Sequence, residues 1–381
     1  MCENFENFLK VTEYKVKGNL PDLFTFKNGE KVKTAEDWRK RREEMYQDVI
    51  ELQYGIQPPA PEFMDICQTC DTSFNVYRIT TGTKENPITF SMYVKLPVEK
   101  KEKYPVAITG DYCWTNYYTP EVVNLFRDNG IALVLFDRTS IAPDNKSEAK
   151  NATIYKAYPE CNFGAIGAWA WGYSRCLDAL EKLGIVDMSC VTFTGHSRGA
   201  KTALLAGMLD ERATIVHPNA TCQGGCGGYR TFMKAVAEDG NEYPSERLCN
   251  LLQYFDFWMG PDMKNYVDRE QDLPFDAHTA KAMIAPRTLV ITDAASDIWA
   301  NPIGTWMTTM AATEVYKFLG CPQNVYWGFR TGYHCYDFLD VQKLVSVINH
   351  ERLGTPVQSE GMFNTPFVKP EPIYTKAPEK E

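Results

Sequence analysis

The chain is poor in histidine. It has five in 381 residues, none in i, i+4 pairs and none clustered with carboxylates, so a histidine-based metal centre is not expected. It lacks any stretch near the roughly 20 apolar residues that cross a bilayer. An excess of positive charge is also missing: the net charge is −9, which disfavours a polyanion partner and excludes nucleic acid from the expected ligands. The dense basic run Arg39-Lys40-Arg41-Arg42 is followed at once by Glu43-Glu44 and reads as a solvated helix face. The opening Met1-Cys2-Glu3-Asn4-Phe5-Glu6-Asn7-Phe8 has neither a basic nor an apolar leader region. The expectation is a cytoplasmic protein whose twelve cysteines are reduced thiols. Cys67-x-x-Cys70 has no second pair at zinc-ribbon spacing, and Cys222 and Cys226 stand in a Gly-rich turn; neither predicts a metal site. No cofactor is expected.

What is present is ordinary globular composition, 44% hydrophobic and 23% charged. Residues 34–55 predict an amphipathic helix capped by Thr34 with Asp37 at N3 and stopped by Gly55. Ile88, Phe90, Met92, Val94 and Leu96 alternate, predicting a half-buried antiparallel strand near a sheet edge. Continuous apolar runs then appear at 105–109, 131–136, 190–194, 213–216, 288–292 and 324–329, with a helical pattern at 165–183 among them. Strands without alternation are buried on both faces, so the expected fold is α/β, a mostly parallel sheet covered by helices. The organisation read from this is an N-terminal helical extension (1–60), a catalytic domain (61–365) and a polar tail (366–381). An aromatic-rich insertion at about 222–285 would supply a cap, a pocket wall or extra core.

Gly195-His196-Ser197-Arg198-Gly199 stands directly after the strand Cys190–Thr194 and directly before a helix from Lys201 to Leu209. That strand–turn–helix setting is what a G-x-S-x-G nucleophile elbow requires, and it makes Ser197 the candidate nucleophile of an α/β-hydrolase. A serine hydroxyl needs a base held by a carboxylate. His196 is inside the elbow, His217 follows the next strand too closely, His278 precedes a strand and suits a structural role, and His350 lies in a helical stretch. His334, in the loop after the last predicted strand, is the candidate base. Asp293 and Asp297 both follow strand 288–292, and Asp297, farther into the loop, is the preferred acid. The Arg198 amide would form half of an oxyanion hole and its guanidinium a second donor, unless an ion pair at the helix start holds it. Arg198 and Lys201 are two cations at a helix N-terminus, where cations are unfavourable, which suggests an anionic or polyhydroxylated ligand. The second amide would come from Gly110-Asp111-Tyr112-Cys113.

Gly195-His196-Ser197-Arg198-Gly199-Ala200-Lys201 resembles the Gly-x-Ser-Arg-x-Gly-Lys elbow of the glucuronoyl esterases, carbohydrate esterase family 15, with Ala200 where Gly is usual. Gly167–Gly172, Leu209–Arg212, Gly224–Gly228, Leu273–His278, Ile284–Arg287 and Asp297–Pro302 also look like segments of bacterial members, and weaker similarity extends over most of the chain. The resemblance implies Ser197 as nucleophile, His334 as base, Arg198 as oxyanion donor, and Lys201 and Trp299 as sugar contacts. Some members carry the acid as a Glu after the strand following the elbow. Here Pro218-Asn219-Ala220-Thr221 has no carboxylate, which again points to Asp297. The implied activity is hydrolysis of a glucuronoyl ester, with small or oligosaccharide esters as the expected substrates. The alternatives are a carbohydrate deacetylase, another acyl hydrolase or peptidase on this fold, and an inactive ligand-binding homologue.

Overall fold

A computed structural model describes residues 10–71, 74–236, 240–358, 362–368 and 373–378. The opening residues Met1 to Phe8 lie outside them. Twelve strands are present among the described residues: β1 (Lys10–Val16), β2 (Phe63–Asp71), β3 (Asn75–Gly82), β4 (Pro87–Lys95), β5 (Tyr104–Thr109), β6 (Ala132–Phe136), β7 (Val186–His196), β8 (Ile215–Asn219), β9 (Thr231–Val236), β10 (Glu242–Pro244), β11 (Thr288–Ala294) and β12 (Val325–Arg330). Nine form one sheet in the order β12-β11-β8-β7-β5-β6-β4-β3-β2. From β12 to β6 neighbours are parallel, and β4, β3 and β2 complete it antiparallel. The strand predicted from Ile88 to Leu96 is therefore antiparallel but third from the edge, with β3 and β2 outside it.

The unbroken apolar runs are buried along their full length in β5, β6, β8 and β11, as a sheet covered on both faces requires. Helix Ala165–Leu183 supplies part of the cover and ends at Gly184, which adopts the left-handed conformation that a C-cap favours. Its Leu177 and Leu180 are fully buried, each contributing about 2 kcal/mol of transfer free energy. The helix predicted from residue 34 has the expected Thr34–Asp37 capping box over Ala35–Tyr46. It passes through a π turn at Gln47–Glu51 and stops at Gly55. A Cβ on Gly55 would lie 2.6 Å from the carbonyl oxygen of Asn162, so this stop is also a close packing point.

The structure adds to the predicted organisation at three points. The extension 1–60 is not only helical: it contributes β1. The segment 222–285 contains two strands: β9 pairs antiparallel with both β1 and β10 in a separate three-stranded sheet. The tail is not simply a polar appendage, since Phe367 is buried edge-on against Phe329 and the Ala377 amide donates to Glu314. Cys67 and Cys70 lie in the outer strand β2, with Cys67 exposed. Among the described residues no helix is long and apolar enough to cross a membrane.

Candidate active site

Ser197 follows β7 and precedes helix Arg198–Leu209, with φ 56° and ψ −121°. Positive φ in a non-glycine residue is strained, and such strain persists where surrounding contacts over-determine it. Those contacts explain the two flanking glycines. A Cβ on Gly195 would lie 2.4 Å from the Gly199 carbonyl oxygen, and one on Gly199 would lie 1.9 Å from Asp111 Oδ1. The Ser197 amide donates to the Asn219 carbonyl at 2.9 Å, tying the turn to the end of β8.

Beneath the turn, Asp111 Oδ2 accepts the His196 amide at 2.8 Å while Oδ1 pairs with Arg138. Both partners are fully buried, and Arg138 lies against the rings of Trp114 and Trp169. Burial pushes the Asp111 carboxyl up, and the Arg138 charge and the His196 amide oppose that shift. In the loop expected to supply a second oxyanion amide, Gly110 N–H already donates to Tyr173 and Asp111 N–H to Thr109. This loop props the elbow through the Asp111 side chain.

His334 and Asp297 meet Ser197 from the ends of two other strands. His334 Nδ1 lies 2.6 Å from Asp297 Oδ2 and its Nε2 2.9 Å from Ser197 Oγ. The carboxylate can only accept, so Nδ1 carries the proton and the Nε2 lone pair faces the serine hydroxyl. Asp297 is 4% exposed and follows β11, with its Oδ1 3.4 Å from the Ala300 amide. Asp293 is buried at the end of β11, and its carboxyl is pushed well above the usual range by burial and by Asp297. The His334 loop is clamped by buried Arg330, which donates to the carbonyls of Thr331 (3.0 Å), Tyr333 (3.3 Å) and Cys335 (2.7 Å) and pairs with Asp340 (2.8 Å).

Three of the other four histidines are structural. His196 Nδ1 donates to Asn219 Oδ1 at 2.6 Å, and burial followed by the nearby His334 pushes it down to about 3, so it stays neutral beside the base. His217 lies between the hydroxyls of Thr194 and Thr292, and His278 donates to the Pro21 carbonyl.

The two cations of the elbow helix both have carboxylate partners. Arg198 Nη1 is 2.8 Å from Asp144 Oδ2, and Asp144 Oδ1 accepts from Trp258 Nε1 at 2.9 Å. The Arg198 guanidinium carbon lies 4.6 Å from the Trp258 ring centre and 5.2 Å from that of Phe255. Lys201 is not on the surface: it is 3% exposed, pairs with Glu246 at 3.3 Å and donates to the Gln223 carbonyl. These pairs remove the unfavourable dipole term that the sequence suggested. Burial pushes the Glu246 carboxyl up, with Lys201 and Trp299 opposing it. Trp299 is 42% exposed and, with Tyr243, Pro244, Tyr333 and His334, lines a cleft of about 580 Å³.

Sequence reasoning missed Asp111, Arg138, Asp144, Glu246 and Arg330. Only Arg330 carried a local signal, a charge ending an apolar strand just before the base. Among the described residues no group of three or more His, Cys, Asp and Glu side chains is gathered as a metal site would need. The thiol of Cys226 is pushed up to about 11 by burial, and that of Cys222 well above its usual value.

Comparison with known proteins identifies the family. A family profile described as "Glucuronyl esterase, fungi" matches residues 79–320. The curated 4-O-methyl-glucuronoyl methylesterase 1 of Wolfiporia cocos is 28% identical over 336 residues, 84% of this chain and 78% of that protein. The carbohydrate esterase family 15 glucuronoyl esterase of Caldicellulosiruptor kristjansonii is 30% identical, with a TM-score of 0.79 over 94% of this chain and 96% of that one. The glucuronoyl esterase catalytic domain of Hypocrea jecorina is 25% identical, with a TM-score of 0.78 over 94% and 95%. The chain belongs to the glucuronoyl esterases of carbohydrate esterase family 15, serine carboxylic-ester hydrolases on the α/β-hydrolase fold.

Proposed function

We propose that this protein hydrolyses the ester between a glucuronic acid carboxyl and an alcohol, with Ser197, His334 and Asp297 as its catalytic triad. The observation that carries the reading is the continuous line from Ser197 Oγ through His334 to Asp297 Oδ2, set beside Arg198. Ser197 Oγ attacks the uronoyl carbonyl as His334 Nε2 takes its proton, and Asp297 stabilises the resulting imidazolium. The oxyanion forms beside the Arg198 amide and guanidinium. His334 returns the proton to the departing alkoxide, leaving a glucuronoyl-Ser197 ester. A water molecule, deprotonated by the same nitrogen, then releases the uronate. Lys201, Glu246 and Trp299 offer hydroxyl-binding groups and an aromatic face to the sugar, the combination a polyhydroxylated acyl group calls for.

A deacetylase leaves its anion on acetate, where cations aimed at the sugar bring little advantage. A panel of methyl glucuronate, methyl galacturonate and acetylated sugars separates the readings. Turnover of methyl glucuronate, lost in Ser197→Ala together with fluorophosphonate labelling, is expected. Turnover of acetylated sugars alone would sink the glucuronoyl assignment, and labelling that persists in Ser197→Ala would sink the nucleophile.

A further inference from the structure

Asp144 lies in the loop between β6 and helix Ala165–Leu183, far from the triad in sequence, yet it holds Arg198. Its two oxygens are both used: one accepts from Arg198 Nη1 at 2.8 Å, the other from the Trp258 indole at 2.9 Å. The carboxylate is therefore fixed rather than swinging on the surface, with its side chain 15% exposed. Phe255 and Trp258, stacked 3.9 Å apart at 8°, stand against the guanidinium on the side of the insertion. Arg198 Nε is buried and has no hydrogen-bond partner among the described residues. One end of the guanidinium is thus pinned to an anion, while Nε remains an unengaged donor.

This arrangement bears on a difficulty built into the reaction. The substrate ester is neutral at the carbon where chemistry occurs, but the product there is a carboxylate. An arginine without a counter-charge is a strong carboxylate ligand, because its planar donors match both oxygens. The group that stabilises the oxyanion would then also retain the product. The neighbouring cation, Lys201, is balanced by Glu246 in the same way. The four side chains together carry no net charge when the uronate forms.

We propose that Asp144 is a specificity-determining residue that sets the balance between ester and acid: its charge offsets Arg198 enough to weaken the hold on the uronate product. The inference rests on the glucuronoyl reading above. Asp144 repels the product carboxylate across Arg198 and has no comparable effect on the uncharged ester. Its hydrogen bond to Arg198 also keeps the guanidinium oriented, a role that would act on both ligands alike. The two roles therefore separate by ligand charge.

The test measures binding by calorimetry of sodium glucuronate and of methyl glucuronate to the full chain carrying Ser197→Ala, with and without Asp144→Asn. Asparagine keeps an acceptor for the Trp258 indole and removes the charge; Asp144→Ser is the second variant should the first not fold. Glucuronate is expected to bind about tenfold more tightly once the charge is gone, with the ester changed by less than about twofold. The gain should shrink in high salt. An unchanged glucuronate affinity, or an equal change for both ligands, would overturn the proposal. Absence of methyl glucuronate turnover by the unsubstituted enzyme would instead remove the glucuronoyl reading, and the proposal with it.

Discussion

Asp297→Asn is the most direct probe of the triad. Asp297 Oδ1 faces the Ala300 amide at 3.4 Å, and Oδ2 accepts from His334 Nδ1 at 2.6 Å. Asparagine keeps the first contact only by placing its oxygen there, which turns its NH₂ toward His334. That donor demands a lone pair on Nδ1 and so moves the ring proton to Nε2, where it blocks acceptance from Ser197. The alternative flip preserves the tautomer but leaves the imidazolium without its counter-charge. At this separation and an effective dielectric near 20, that charge is worth about 6 kcal/mol. The equivalent change in other Ser-His-Asp sites lowers kcat about 10⁴-fold, or roughly 5.4 kcal/mol, in line with that figure. The end of β8 offers no substitute carboxylate: it is Asn219, whose amide oxygen is engaged by His196. Initial rates on methyl glucuronate should show kcat reduced about 10⁴-fold with KM changed little. A loss smaller than about tenfold, in a variant shown to be folded, would mean that Asp297 does not govern His334.

Gly199→Ala should destabilise the protein by about 2–3 kcal/mol, because the new methyl meets an Asp111 carboxylate fixed by Arg138 and the His196 amide. A urea midpoint equal to that of the parent would contradict the packing argument. His217 is held at about 3 by burial, against 6.5 when exposed. Below pH 6.5 the unfolded chain binds a proton that the folded chain refuses, so this group costs about 1.4 kcal/mol of stability per pH unit down to its folded value. Urea unfolding of His217→Gln should therefore lose stability less steeply between pH 6.5 and 4.5 than the parent, and parallel slopes would refute the assignment.

The parts of the site visible in the sequence are those fixed by short-range rules. Ser197 was legible because strand, tight turn and helix are consecutive, and His334 and Asp297 because each follows an apolar run that could only be a buried strand. Arg198 and Lys201 were legible as charges, but their states were not. Their partners Asp144 and Glu246 come from a loop and from the chain just past β10, and no local pattern aims either at the elbow. Asp111 is similar: it looks like a loop residue until β5 and β7 are placed side by side. The second sheet escaped because Lys10–Val16 mixes charged and apolar residues and Glu242–Pro244 is too short to show alternation. Their pairing is decided by contacts across most of the chain.

That small sheet has a consequence for how the cleft is completed during folding. Tyr243 reaches the cleft beside His334 from β10, one edge of a sheet whose other edge is β1, far earlier in the chain. The nucleophile, base and acid belong to strands of the large sheet and can be aligned without it. The wall at Tyr243 waits until Thr231–Val236 has paired with Lys10–Val16, a closure of a long loop that topology makes slow. A chain whose large sheet had formed before this pairing would hold Ser197 and His334 together with one wall of the cleft missing.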